Sequence, residues 1–122
     1  MRIQYTMNHR AIAVTLLLFF PILAIADDPQ RLAAERGCTF CHSPEPVKAA
    51  GGAVPPPAPA WSDISSRYRG QAGAEEKLVA IVVAGSDPSK RHWARTSTVQ
   101  MPSNQVLVSE SEARILVRWI LR

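Results

Sequence analysis

The sequence predicts a small all-α domain of about four short helices joined by long, irregular loops. Three features point to it. Apolar residues recur at helical spacing near both ends, and no stretch sustains the alternation a strand needs. Helix start and stop signals flank those apolar runs. Between Ser43 and Pro59 stand six prolines and a Gly51-Gly52 pair, which regular structure does not accommodate.

The first segment reads as an address. Arg2 and Arg10 give a basic start, Ala11 to Ala26 is apolar, and Ala24-Ile25-Ala26 precedes an acidic pair. That is the layout of a cleaved signal peptide over residues 1–26, which leaves residues 27–122 as the working domain and an exported location. The alternative is an uncleaved membrane anchor. The apolar stretch is short for a span, and Pro21 interrupts it.

The working domain then unfolds in order. Asp28 is placed to cap a helix with Pro29 at its first position, running over 29–36 until Gly37. Trp61 to Tyr68 is a second short helix, with Ser62 as its expected cap. Residues 74–84 form a third, with Leu78, Ile81 and Val82 on one face and Gly85 as the stop. Ser109-Glu-Ser-Glu112 is a capping-box pattern. It opens a last helix with Ala113, Leu116, Val117 and Ile120 on one face and Trp119 beside them.

Removing the leader changes the arithmetic. It carries 18 of the 57 hydrophobic residues, so the remaining 96 residues keep only 24 large apolar side chains. A domain of this size buries little surface and generally needs a staple. Two cysteines make no disulfide framework. The formal charge falls from +4 to +2 when Arg2 and Arg10 are lost, too little to indicate nucleic-acid binding. No catalytic triad, matched carboxylate pair or phosphate loop is present, so an enzyme is not expected.

The chemistry is concentrated in Cys38-Thr-Phe-Cys-His42. C-x-x-C-H is the attachment pattern of c-type haem. Its spacing lets two thiols reach one haem edge as thioethers while the histidine lies under the iron. Three rivals use the same residues. A zinc site would need Cys38, Cys41, His42 and His92 together. A thioredoxin-like redox motif would need strands. A local disulfide suits an exported protein but leaves the core short.

A six-coordinate haem needs a second axial ligand. Met101 is the one methionine of the working domain, and it precedes Pro102 in a polar, irregular stretch rather than lying on an apolar helix face. It is therefore the expected ligand rather than a core filler, with His92 as the competitor. His/Met ligation raises the reduction potential.

From Asp28 to Arg122 the chain resembles the short monohaem bacterial class I cytochromes c of the periplasmic electron-donor type. The matching pieces are Gly37-Cys-Thr-Phe-Cys-His42, Ala58-Pro-Ala-Trp61, Gly70-Gln-Ala-Gly-Ala-Glu75, Gly85-Ser86, Trp93, Met101-Pro-Ser-Asn104 and Glu112 to Leu121. The resemblance implies the class I cytochrome c fold wrapped round one covalently bound haem c with its iron. It also implies one-electron exchange with periplasmic partners: a nitrite or other reductase, a peroxidase, an oxidase or a dehydrogenase. A dedicated subunit of a dehydrogenase or reductase complex, and a haem enzyme or gas sensor with an open distal side, are the alternatives.

By the same resemblance, the Pro59 carbonyl accepts a hydrogen bond from His42, Asn104 hydrogen-bonds near the Met101 sulfur, and Trp93 reaches a haem propionate. Leu32 and Trp119 are the expected contact between the first and last helices. The chain also departs from the pattern. The loops before Trp61 and before Met101 are longer than in the short members. Ala33 stands where an aromatic is common, and Ile81 where a propionate-binding cation is common. Arg91 or Arg95 is the expected replacement cation, against the alternative that Lys90, Arg91 and Arg95 are simply solvated.

Overall fold

The computed structural model describes residues 28–47, 55–90, 93, 94, 96, 97 and 99–122. The expected signal peptide, His92, Arg91 and Arg95 lie outside the described residues, as does the middle of the proline-rich loop. Four α-helices and one 3₁₀ turn make up the regular structure, and no strand occurs among the described residues.

Helix α1 spans Pro29–Glu35, one residue shorter than expected. Asp28 caps it by accepting from Gln30 N–H at 3.0 Å. Arg36 closes it, and Gly37 then turns the chain at φ 75°, a left-handed angle that favours glycine. A single 3₁₀ turn, Cys38–Phe40, follows at once.

Helix α2 spans Trp61–Tyr68 and corrects one expectation. Its cap position is Ala60, and Ser62 is not the cap. The span is as expected, but two backbone carbonyls from the proline-rich arm take the first N–H groups in place of a side-chain cap. Trp61 N–H donates to Ser43 O at 2.9 Å and Ser62 N–H to Pro44 O at 3.1 Å. Ser62 Oγ is left buried without a hydrogen-bond partner.

Helix α3 spans Ala74–Ala84, with Glu75 and Glu76 in its first turn and Gly85 at its end, at φ 88°. Helix α4 spans Glu110–Ile120 and has the full capping box. Ser109 Oγ accepts from Glu112 N–H at 3.2 Å, and Glu112 Oε2 accepts from Ser109 N–H at 2.8 Å.

Helix α4 is the central element and packs on α1, α2 and α3. Its buried face, Ala113, Leu116 and Val117, meets a core made of Leu32, Ala33, Tyr68, Ala74, Leu78, Val79 and Val108. Ala33 is 1% exposed. The position where an aromatic is common is thus a buried small residue within the α1–α4 packing. Trp119 is partly buried against this core. Its ring contact is with Trp61, edge to face at 4.8 Å between centroids.

Ion pairs bind the same helices at the surface. Arg36 meets Glu112 at 2.6 Å, joining the end of α1 to the start of α4. Arg114 and Arg118 both reach Glu75 at 2.9 Å, joining α4 to α3. Partly solvated pairs of this kind each contribute little, because water screens them.

Candidate functional site

The helices leave a cavity of about 510 Å³ lined by residues of α2, α3 and α4. Pockets of about 300–1,000 Å³ accommodate a ligand of drug or cofactor size. Each helix contributes an apolar stripe. Trp61, Ile64 and Tyr68 come from α2, Leu78, Ile81 and Val82 from α3, and Leu116, Val117, Trp119 and Ile120 from α4.

One side of the cavity is built from contiguous chain. The 3₁₀ turn brings Cys41 N–H to Cys38 O at 3.3 Å and His42 N–H to the same carbonyl at 3.0 Å. Cys38, Cys41 and His42 therefore line one edge together. Cys38 is half-buried, Cys41 is exposed, and both thiols are free. Burial pushes the Cys38 thiol up from its ordinary value.

His42 is oriented as the resemblance implied. Its Nδ1 lies 2.8 Å from the Pro59 carbonyl. A carbonyl only accepts, so Nδ1 carries the proton and Nε2 keeps its lone pair for a metal. Burial lowers the His42 pKa more than the Pro59 bond raises it, which favours the neutral ring that coordination requires. Trp61 lies nearly parallel to the imidazole, at 13° and 6.5 Å between centroids.

The other side is irregular. Met101 and Asn104 also line the cavity. Met101 is bonded to Ser86 twice: Ser86 N–H donates to Met101 O at 3.0 Å, and Met101 N–H donates to Ser86 Oγ at 3.0 Å. The Asn104 side chain bonds carbonyls: its Nδ2 donates to Val82 O at 2.9 Å and to Pro102 O at 3.1 Å. With these bonds the residue secures the Met101 loop to the end of α3.

Trp93 lines the cavity. Its ring meets Tyr68 edge-on at 6.5 Å, and the Arg67 guanidinium lies 4.7 Å from its centroid. Lys90 reaches the same cavity wall. The long segment before Met101 meets the proline-rich arm there: Ser97 N–H donates to Pro56 O at 2.9 Å. Arg67, Ser86 and Ser97 carried no site role in the sequence reading. The Trp61, Ile64, Tyr68 stripe was available from helical spacing alone.

The donor set fits a covalently held haem. Two thiols and an oriented imidazole share one edge, a thioether lies on the same cavity, and the rest of the lining is largely apolar. The fourth residue of the rival zinc set, His92, lies outside the described residues. The redox-motif rival requires strands, and none occurs among the described residues.

No family model matches the chain. Individual proteins do. It is 39% identical over 94 residues to cytochrome c2 of Rhodocyclus tenuis, covering 77% of this chain and 90% of that one. It is 35% identical over 98 residues to cytochrome c-551 of Pseudomonas aeruginosa, covering 80% and 79%. The crystal structure of Nitrosomonas europaea cytochrome c552 superposes with a TM-score of 0.57 at 30% identity, covering 75% of this chain and 95% of that one. With this lining, this helix order and these relatives, the chain belongs to the small monohaem class I cytochromes c, electron carriers that hold one haem c covalently and exchange electrons with redox partners.

Proposed function

We propose that Cys38 and Cys41 bind the haem as thioethers, that His42 and Met101 are its axial ligands, and that the mature chain, residues 27–122, carries single electrons in the periplasm. The observation that best supports this is the 2.8 Å contact of His42 Nδ1 with Pro59 O, on the same cavity that Met101 lines. When bound, the haem supplies reversible one-electron chemistry. The chain does the rest. The Pro59 carbonyl fixes the imidazole, the helices exclude water with Leu, Ile, Val and Trp side chains, and Ser86 and Asn104 hold the methionine loop. Holding both ligands in place keeps reorganisation small.

The partners we propose are periplasmic: a reductase, peroxidase, oxidase or dehydrogenase. Export rests on the basic and apolar leader ahead of Asp27. Among the described residues, no helix is long and apolar enough to cross a membrane. The test is a haem-stained gel of the periplasmic fraction with visible spectra and the intact mass. A haem-staining band, a sulfur-to-iron charge-transfer band in the ferric spectrum and a mass for residues 27–122 plus one haem are expected. A membrane-retained full-length chain, or a high-spin ferric spectrum, would contradict the proposal.

A further inference from the structure

We propose that Ser86 is a positioning residue for Met101, and that it isolates the methionine from the long loop between them. The inference rests on Met101 being the axial ligand. Three contacts carry it. Ser86 N–H donates to Met101 O at 3.0 Å. Met101 N–H donates back to Ser86 Oγ at 3.0 Å. The Ser86 hydroxyl, having accepted, donates onward to Gln100 Oε1 at 2.9 Å. Both backbone polar groups of Met101 are therefore spoken for by one residue, which itself lines the cavity.

The position of Ser86 makes this effective. It follows Gly85, the residue that ends α3, so it extends directly from a rigid helix. Gly85 also permits the close approach. A Cβ there would lie 2.9 Å from Ser103 N and 3.0 Å from Met101 O. Beyond Met101 the loop is tied again to the same helix end. Ser103 Oγ donates to Val83 O at 3.0 Å, and Asn104 N–H donates to that carbonyl, also at 3.0 Å. Carbonyls in the last turn of a helix have no partner within it. Here they hold the segment that follows the methionine.

The topological consequence is a closed ring. The chain leaves Ser86 and returns to it at Met101, so the length of the segment between them need not be felt at the sulfur. An extended loop is tolerated because the bonds at its base, rather than the loop itself, set where Met101 stands. Loop length costs little entropy once the ends are joined.

The test uses the ferric, haem-loaded protein and added imidazole, which competes with the thioether for iron. Ser86→Ala, which loses the hydroxyl's bonds to Met101 and Gln100, should bind imidazole about threefold to tenfold more tightly, the effect expected of the bond to Met101 alone. It should also lose the sulfur-to-iron band at a lower pH than the parent. Ser86→Thr, which keeps the hydroxyl, should restore both. A folded Ser86→Ala protein with unchanged imidazole affinity overturns the proposal. Amide exchange at Met101 in the unmodified protein is the second measurement. Protection matching the last turn of α3 is expected, and free exchange overturns the clamp whatever the variants do. Met101→Ala separates the two levels of inference: a sulfur-to-iron band that survives there refutes the ligand assignment itself, and the clamp with it.

Discussion

The two sides of the cavity are built by opposite means. On the His42 side, consecutive residues do the work: a glycine turn, a 3₁₀ turn and a histidine whose partner, Pro59, leads into α2. On the Met101 side, the methionine lies in irregular chain. Ser86, 15 positions away, bonds its backbone, and the Val82 carbonyl bonds Asn104, three residues beyond it. The histidine is thus set by local geometry and the methionine by closure of a loop. Damage to the first should remove the cofactor, whereas damage to the second should leave the cofactor attached and change its electronics.

The largest effect breaks the His42 side. Cys38→Ala combined with Cys41→Ala should abolish covalent haem and leave the chain largely unfolded, because the helices then enclose an apolar cavity with nothing to fill it. Far-ultraviolet circular dichroism and haem staining check this, and a well-folded haem-free domain would refute it. Met101→Ala should keep haem staining intact yet erase the sulfur-to-iron band and lower the potential, measured by spectroelectrochemistry.

Smaller changes sharpen the contrast. Gly85→Ala forces a side chain into a left-handed φ of 88°, with its Cβ 2.9 Å from Ser103 N. It should cost about 1–3 kcal/mol in thermal or denaturant unfolding and weaken the methionine bond, while the His42 side stays spectroscopically unchanged. Weakening of histidine ligation instead would show that the two sides are not independent.

The smallest expected effect is acid dependence at the ion pair between α1 and α4. The Arg36 guanidinium, together with Ser109, holds the Glu112 carboxyl down to about 2 from its ordinary 4.5. A value depressed by folding stabilises the native state above the ordinary range, and that contribution is lost as pH falls from 4.5 towards 2. Glu112→Gln should therefore be less stable at neutral pH and show a flatter stability profile across that window. Equal slopes in urea titrations at stepped pH would refute the coupling.

The same contrast explains what was legible in the sequence. The His42 side could be read because its information is contiguous: Gly37, Cys38, Cys41 and His42 lie within six residues. Helix ends were legible for the same reason, as at Asp28 and in the Ser109–Glu112 box, where cap and first turn are neighbours. The cap of α2 was not, because carbonyls of Ser43 and Pro44 on a distant loop replace the expected Ser62 side chain. Met101 stood out by its type and its following proline, but the Ser86 bonds depend on two segments meeting in space. Asn104 stands close to Met101 in sequence, but nothing there reveals that the carbonyls of Val82 and Pro102 take its amide hydrogens.

The central claim is that His42 and Met101 face one another across a single haem. X-ray absorption at the iron edge of the purified ferric protein tests it most directly. A sulfur bound to iron in the parent, and nitrogen or oxygen in its place in Met101→Ala, is the result predicted. An iron without sulfur in the parent, or one that keeps it in the variant, would contradict the account.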